Sequence, residues 1–402
     1  MKIWSRLTIA VIMLVFAAHC LASQPVPEPA GLKLISSFEG GKLYRSGKIN
    51  VLVLHGSYRQ MGRQYGRLLS GDLKSLYKNA ILDYFQQGRG LSDDKMNKAA
   101  VSLYRLYPQR FKDIIEGMAE TSGLSLKEQI MLNAIEHYGS MSGCSGIIAW
   151  GEYTGKQPLI AGRNYDWFEK YVEFAQSLTV TVFNPDSGIP NAIVTFAGVI
   201  YATTGLNGEG IFLELNNGLP SGGSLKYSDR VPAIVSLLAF LNDGSSLDQL
   251  DAFFNTTRTD FAFIINAADT VRGVSYEWAP FEHRRRNGDE EGLLVATNHF
   301  TDPSWGIVLQ DHAGFETVRR WKNLLSLGHE KKGKIDLGVM KEILDTPMNK
   351  GGATWPVDGS MPKPYRTTYQ IIAVPASLQL WLKVPGFQDW TAVELKGLFR
   401  KQ

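Results

Sequence analysis

Apolar and polar residues change rhythm twice along the chain. From Ile49 the run Asn50-Val51-Leu52-Val53-Leu54-His55-Gly56 reads as a strand, and helical spacing then begins near Tyr58 and carries through Leu68, Leu73 and Tyr77. Residues 23–48, dotted with Pro, Gly and Ser, read as an extended leader ahead of it. Helical stripes continue to about Tyr138: Phe111, Ile114, Ile115 and Met118 make one, and Ile130, Leu132, Ile135 and Tyr138 another. At Gly143 the period shortens. Strand-like runs follow at 144–150, 159–165, 178–183, 192–196, 201–204 and 210–215, separated by Gly, Asn, Asp and Pro. A helical block spans 231–254, strands recur at 261–265, 274–278 and 293–297, and helical spacing returns at 315–325 and 337–344. The runs 367–374 and 378–384 read as a closing hairpin. The charged run Glu282-His283-Arg284-Arg285-Arg286, ahead of Asn287-Gly288-Asp289, reads as the solvated polar tip of a hairpin. Antiparallel strands in series with inserted helix pairs predict an α+β fold in which two sheets pack together with helices outside, four layers in all.

The stretch from Met141 to Trp167 can be folded by inspection. With the polar segment 151–157 as its loop, the flanking strands pair so that Cys144 lies opposite Arg163, give or take one residue. Directly opposed residues share a face, with beta carbons roughly 5 Å apart. Arginine is a permanent cation, and a nearby positive charge favours a thiolate. A bland alternative packs Cys144 in a core and pairs Arg163 with Asp166 at an edge. That arrangement buries an ion pair beside a thiol with no evident structural return. No histidine stands near Cys144 in sequence except His137, and His55, His283, His299, His312 and His329 show no triad or metal spacing. One base is built in: the alpha-amine of the cysteine itself, once the chain is cut between Gly143 and Cys144. Glycine before the cut tolerates the backbone such an attack needs.

Composition narrows the class. The 402 residues suit one large domain or two modest ones, and 44% hydrophobic with 20% charged residues is ordinary for a globular protein. Its 42 basic and 39 acidic side chains are scattered, so the net charge of +3 gives no basic face for nucleic acid. Lys2 and Arg6 flank the start of an apolar stretch, Leu7 to Ala18, too short to span a bilayer and suited to a secretory signal. Cys20-Leu21-Ala22 offers a cleavage site, giving residues 1–22 as signal peptide and a mature start near Ser23. Lipid attachment at Cys20 is disfavoured by the bulky His19. No later segment reads as a membrane span, so an extracytoplasmic chain, secreted or periplasmic and without stable membrane insertion, is expected. Of the two cysteines, Cys144 alone remains after processing.

The cysteine and the hexad Gly162-Arg163-Asn164-Tyr165-Asp166-Trp167, joined by a hairpin, resemble the N-terminal-nucleophile hydrolases of the linear-amide type. These include choloylglycine hydrolase and penicillin V acylase; the sequence is more similar to the acyl-coenzyme A:6-aminopenicillanate acyltransferase and related autoproteolytic hydrolases. Asn207-Gly208-Glu209-Gly210-Ile211, followed by a strand and Asn217, resembles the family's segment leading to an oxyanion-hole asparagine. Thr297-Asn298 resembles the second such asparagine. Glu316 to Trp321 is similar to a helix start that carries a site arginine, with both of its serines replaced and either Arg319 or Arg320 alignable. Leu54-His55-Gly56-Ser57 through Gly66 resembles the opening of the subgroup that bears a propeptide.

The resemblance implies a four-layer αββα sandwich of two antiparallel sheets between helical layers. It also implies autocleavage into a mainly helical small subunit (23–143) and a catalytic large subunit (144–402) that stay associated. Cys144 would attack a linear amide of a small-molecule N-acyl substrate. Asn298 and Asn217 would donate to the oxyanion, with Asn217 preferred over Asn216 because Leu213, Leu215 and Asn217 share a strand face. Asp166 would orient the cysteine amine, and Arg163 and Arg320 would set the field. Tyr165, Trp167 and Phe300 would line an acyl pocket. No metal or cofactor is implied. An acyltransferase would use the same acyl-enzyme, and a non-catalytic secreted binding protein would keep Cys144 as filler. An alpha/beta-hydrolase is disfavoured, since Leu54-His55-Gly56 has no Gly-x-Ser-x-Gly to accompany it.

Overall fold

A computed structural model describes residues 31–139, 143–222, 226–309, 316–362 and 364–400. The signal segment 1–22, Cys20 and His312 fall outside the described residues. Strands β1 (Lys33–Phe38), β2 (Gly41–Ser46) and β3 (Ile49–Gly56) open the chain. Helices α1 (Tyr58–Leu68) and α2 (Ser70–Leu76) follow, then a π-helical stretch Tyr77–Gly88, α3 (Asp93–Arg105), α4 (Gln109–Ser122), α5 (Leu126–Asn133) and α6 (Ile135–Tyr138). Next come β4 (Gly143–Ala149), β5 (Ile160–Phe168), α7 (Lys170–Phe174), β6 (Leu178–Pro185), β7 (Asn191–Phe196), β8 (Thr204–Asn207) and β9 (Phe212–Asn217). After α8 (Leu219–Gly222), α9 (Ala233–Asp243) and α10 (Leu247–Thr256) lie β10 (Phe263–Ala268), β11 (Gly273–Trp278), β12 (His283–Asn287) and β13 (Leu293–Ala296). The chain closes with α11 (Thr317–Glu330), α12 (Leu337–Asp345), β14 (Tyr365–Val374), β15 (Gln379–Val384) and β16 (Gln388–Glu394).

The strands form two sheets. One has ten strands in the order β1-β2-β3-β6-β7-β8-β9-β10-β11-β12, and the other six in the order β13-β4-β5-β14-β15-β16. Neighbours are antiparallel except β3 and β6, which run parallel from Asn50↔Thr179 to Gly56↔Pro185. A parallel pair needs a crossover, and here it contains all of α1 to α6 and the β4–β5 hairpin.

Strand alternation sorts the layers. In the six-stranded sheet, Ile147, Ala149, Ile160, Val295 and Ile372 pack with Leu324 of α11 and Met340, Ile343 and Leu344 of α12. The opposite face turns Cys144, Ile148, Tyr165, Trp167 and Ile371 into the main core. There Gly146 leaves room for the larger sheet: a beta carbon at Gly146 would collide with Glu214 Oε1 of β9. The outer face of the larger sheet is covered by α9 and α10, with Leu241 over Gly205 and Phe254 stacked on Tyr276 at 3.9 Å. The result is a mixed α+β molecule with two facing sheets and helices on both outer sides.

Three readings of the sequence need correction. The run Arg284-Arg285-Arg286 is an edge strand rather than a hairpin tip, paired Val274↔Asn287 through Trp278↔His283. Charges suit an edge, and these are half-buried: Arg286 meets Glu277 at 2.7 Å and Arg285 meets Asp251 at 3.1 Å. The closing hairpin carries a third strand, β16, hidden in sequence by its polar alternation. The leader's second half is the β1–β2 hairpin.

Candidate functional site

Cys144 lies in β4, fully buried. The β4–β5 register sets Cys144 opposite Tyr165 and Gly146 opposite Arg163, two residues away from the pairing read from sequence. The shift comes from β5, which starts at Ile160 after a longer turn. An offset of two keeps side chains on the same face. Arg163 therefore still points into the space between the sheets with Cys144, and its Nη2 donates to Cys144 Sγ at 3.4 Å.

The backbone around Cys144 is held by side chains because a strand runs out. β13 pairs with β4 only as far as Ala296↔Gly146. In an antiparallel ladder the N–H and C=O of one residue point to the same side, so those of Cys144 face the gap beyond Ala296. Asn298 Oδ1 accepts from Cys144 N at 3.0 Å, and Arg320 Nη1 donates to Cys144 O at 3.0 Å. Arg320 Nη2 also donates to Asn298 Oδ1 at 2.7 Å. With two donors on Oδ1 the carboxamide has a fixed orientation, and its Nδ2 donates to Asn217 O at 2.9 Å. Helical phase in the first turn of α11 carries Arg320 inward against Cys144 and leaves Arg319 exposed.

Asp166 belongs to the helix-facing side of β5. Its Oδ2 pairs with Arg320 Nη1 at 3.0 Å and its Oδ1 accepts from Thr367 Oγ1 at 2.6 Å. Asp166 is linked to the cysteine backbone through Arg320, whose Nη1 meets both Asp166 Oδ2 and Cys144 O, while the Cys144 nitrogen donates to Asn298 Oδ1. Burial pushes the Asp166 carboxyl up to about 7, against the pull of Arg320, Thr367 and Arg163. Burial likewise draws Arg320 down from its ordinary value, with Asp166 opposing.

On the other face, Arg163 donates to Thr203 O and Thr204 Oγ1 through Nη1 and to Leu215 O at 2.6 Å through Nη2. Burial works against its charge, but Cys144, Tyr369 and Glu214 outweigh it and hold the guanidinium cationic. The Tyr165 ring lies 4.9 Å from its Cζ and stacks on Tyr369 at 4.4 Å. Asn217 meets the site through its carbonyl oxygen; its Oδ1 accepts from Leu219 N at 2.7 Å, a turn closing β9. His299 is engaged with Thr297 and Thr317, and burial holds it down to about 4.

Of the aromatics expected at a pocket, Trp167 lines a cleft whose total empty space is about 620 Å³, together with Leu215, Asn217, Phe261 and Phe263. Tyr165 is buried behind it, stacked on Trp167 at 5.8 Å. Phe300 packs with Ala262 and with Phe261 of the cleft wall and stacks on Trp305. Sequence reasoning missed Glu136, His137 and Gly139, which bring the N-terminal helical segment into the cleft wall. Only their place at the end of the Ile135–Tyr138 stripe pointed there. Among the described residues, no group of three His, Cys, Asp or Glu is placed to hold a metal ion, and no helix is long and apolar enough to cross a membrane.

No family model matches the chain. It is 23% identical over 348 residues to protein dcd1A of Dictyostelium discoideum, covering 76% of each chain. Among solved structures it resembles a mutant conjugated bile acid hydrolase from Clostridium perfringens, with 13% identity and a TM-score of 0.48 over 64% of this chain and 95% of that one. Penicillin V acylase from Agrobacterium tumefaciens has 10% identity and a TM-score of 0.45, over 64% and 88%. A Caenorhabditis elegans ortholog of N-acylethanolamine-hydrolyzing acid amidase has 20% identity and a TM-score of 0.41, over 58% and 93%. At these values the likenesses decide neither family nor activity.

Proposed function

We propose that this chain is an extracytoplasmic N-terminal-nucleophile amidohydrolase that cuts itself before Cys144 and then cleaves linear amides of small N-acyl compounds. The observation that carries the reading is the capture of Cys144 from two sides: Arg163 on its sulfur, and Asn298 with Arg320 on its backbone nitrogen and oxygen. A filler cysteine needs none of these.

In the maturation step the Cys144 thiol adds to the Gly143 carbonyl carbon. The Gly143–Cys144 C–N bond breaks, the thiol proton goes to the departing nitrogen, and a thioester forms. Water then hydrolyses it to a Gly143 carboxylate and restores the thiol. The nitrogen, now an amine, keeps Asn298 Oδ1 as acceptor for one N–H. Catalysis repeats the chemistry on an external amide: the amine takes the thiol proton, sulfur attacks, and the proton returns to the leaving amine. Arg163 balances the negative charge passing through sulfur. Asn298 and Asn217 are the proposed donors to the oxyanion, and in the uncut chain one Nδ2 hydrogen of Asn298 is held by Asn217 O. Water then hydrolyses the acyl-enzyme to a carboxylic acid and restores the thiol, and transfer of the acyl group to an amine instead of water would use the same acyl-enzyme.

The test is purification of the mature protein. Two chains are expected, the larger beginning at Cys144, with thiol-dependent release of amine from a panel of N-acyl amides, and Cys144→Ala should stay one chain. A wild-type chain that remains intact and inert toward the whole panel sinks the proposal.

A further inference from the structure

Asn298 needs a hold that the sheet does not give it. β13 ends at Ala296, so the ladder with β4 stops short of Asn298. Its side chain is held by Arg320, whose Nη2 donates to Oδ1 at 2.7 Å. Its backbone nitrogen donates to Thr317 Oγ1 at 2.8 Å. Thr317 and Arg320 both stand in the first turn of α11, spaced i and i+3, and so share a face of that helix. One helical turn therefore grips Asn298 at its backbone and at its carboxamide.

Thr317 is fully buried, and its hydroxyl is turned away from its own helix. The start of α11 has no side-chain cap; the oxygen nearest to that role serves Asn298 instead. Glu316, at the N-cap, has a φ of 49°, a left-handed conformation that residues with side chains rarely adopt and that persists where the surroundings over-determine it. Thr297 Oγ1 donates to Thr317 O at 2.9 Å and lies 2.9 Å from Thr317 Oγ1, while His299 Nδ1 lies 2.8 Å from that same oxygen. A hydroxyl has one hydrogen and two lone pairs. One lone pair takes the Asn298 N–H, and the hydrogen is left for His299 or Thr297. A threonine that only fills space needs its shape and not its oxygen, and here the oxygen has an assigned task.

We propose that Thr317 is a positioning residue: by accepting from Asn298 N, its hydroxyl keeps the Asn298 carboxamide on the Cys144 nitrogen, both before and after self-cleavage. It acts through Asn298, whose Oδ1 accepts from Cys144 N at 3.0 Å. Without the hydroxyl, Asn298 N becomes a buried donor lacking an acceptor, a state costly enough to shift the segment. Displacing Asn298 moves its Oδ1 off the cysteine nitrogen.

This rests on the proposed function in using cleavage and turnover as readouts, and a third readout is independent of it. Thr317→Val keeps the shape and removes the hydroxyl; Thr317→Ser keeps the hydroxyl. Thr317→Val should slow self-cleavage, and lower kcat toward N-acyl amides, by at least about tenfold with KM within about threefold, because small misplacements of a positioned group cost rate. Thr317→Ser should stay within about threefold of wild type in both. In the uncut Cys144→Ala chain, the residue-144 amide hydrogen should exchange at least about tenfold faster with Thr317→Val than with Thr317→Ser, measured against the remaining β4 amides. Equal rates and equal exchange in the two variants overturn the inference, and so does an effect confined to KM or an equal loss in both. If wild-type protein neither cuts itself nor hydrolyses amides, the reaction is wrong, and exchange alone decides: faster exchange with valine sustains the positioning, and equal exchange overturns it.

Discussion

Replacing Arg320 by methionine tests whether the side chains around the Cys144 backbone act as one unit. Arg320 and Asp166 are both fully buried and 3.0 Å apart, and the same guanidinium serves Cys144 O and Asn298 Oδ1. Removing one partner of a buried pair costs about 3–5 kcal/mol, because the other charge is left uncompensated. Methionine retains most of the apolar stem, so little packing is lost. Asp166 has an escape, since burial already pushes it to about 7 and it can bind a proton instead. The sign follows: without Arg320 its folded pKa rises further above the unfolded value, so the added cost is absent at low pH and grows as pH rises. Urea unfolding in the Cys144→Ala background, which keeps one uncut chain, should show the full deficit at pH 8 and a smaller one at pH 5. Adding Asp166→Asn should recover part of the loss at pH 8. Arg319→Met, on the exposed side of the same turn, should stay within about 0.5 kcal/mol. Equal losses at 319 and 320, or a deficit that neither pH nor Asp166→Asn changes, would refute the arrangement.

Glu214→Gln should improve relative stability as pH rises. Burial lifts Glu214 from 4.5 to about 7, so folding is increasingly disfavoured across that window, and the variant should gain up to roughly 3 kcal/mol on wild type between pH 4 and pH 8 in urea titrations; a flat difference contradicts this. Arg163→Lys should slow self-cleavage by at least about a hundredfold on a gel time course, since one ammonium cannot reach Cys144 Sγ, Leu215 O and Thr203 O together; cutting at the wild-type rate would remove Arg163 from the chemistry. Gly62→Ala should destabilise by more than about 1 kcal/mol, because its beta carbon would run into the Ile114 carbonyl of α4, whereas Gly71→Ala in α2, with open space around it, should stabilise by about 0.5–1 kcal/mol; thermal midpoints moving the same way would contradict the packing.

Much of this arrangement is local and therefore readable in sequence. The α12 helix, the paired helices α9 and α10, and strands β10, β11 and β13 follow from period and turn residues alone. The placing of Cys144 and Arg163 on one face survived a register error of two because side chains alternate with period two, although the pairing itself did not; an error of one would have put Arg163 against α12. The burial of Arg320 follows from helical phase once the helix start is known. Other features are non-local. The parallel join of β3 to β6 spans more than a hundred residues and leaves no local mark. The edge strand through Arg284-Arg285-Arg286 was hidden because its partners Glu277 and Asp251 lie elsewhere in the chain. Glu136 was invisible as a cleft residue because only the docking of α6 decides which of its faces meets solvent.

The site occupies the point where β13 ends, and that ending explains why it needs two arginines. A strand continuing beyond Ala296 would satisfy the Cys144 backbone by ladder bonds and leave no way for a side chain to reach it. With the strand absent, polar side chains must replace the ladder, and a buried N–H and C=O cannot go unmet. Asn298 and Arg320 do this from the helix side of the sheet, while Arg163 approaches the sulfur from the space between the sheets. The two cations are separated by the sheet itself, so each has its own acidic neighbour, Asp166 for Arg320 and Glu214 for Arg163. Both carboxyls are pushed toward neutrality by burial, which leaves the surroundings of Cys144 more positive than a count of charges gives. Only one of these contacts, Cys144 N to Asn298, involves the peptide bond that a cut would remove. Self-cleavage would therefore change the nitrogen from amide to amine inside a field already in place, and the geometry that would activate the thiol for the first attack would be the one it keeps for later ones.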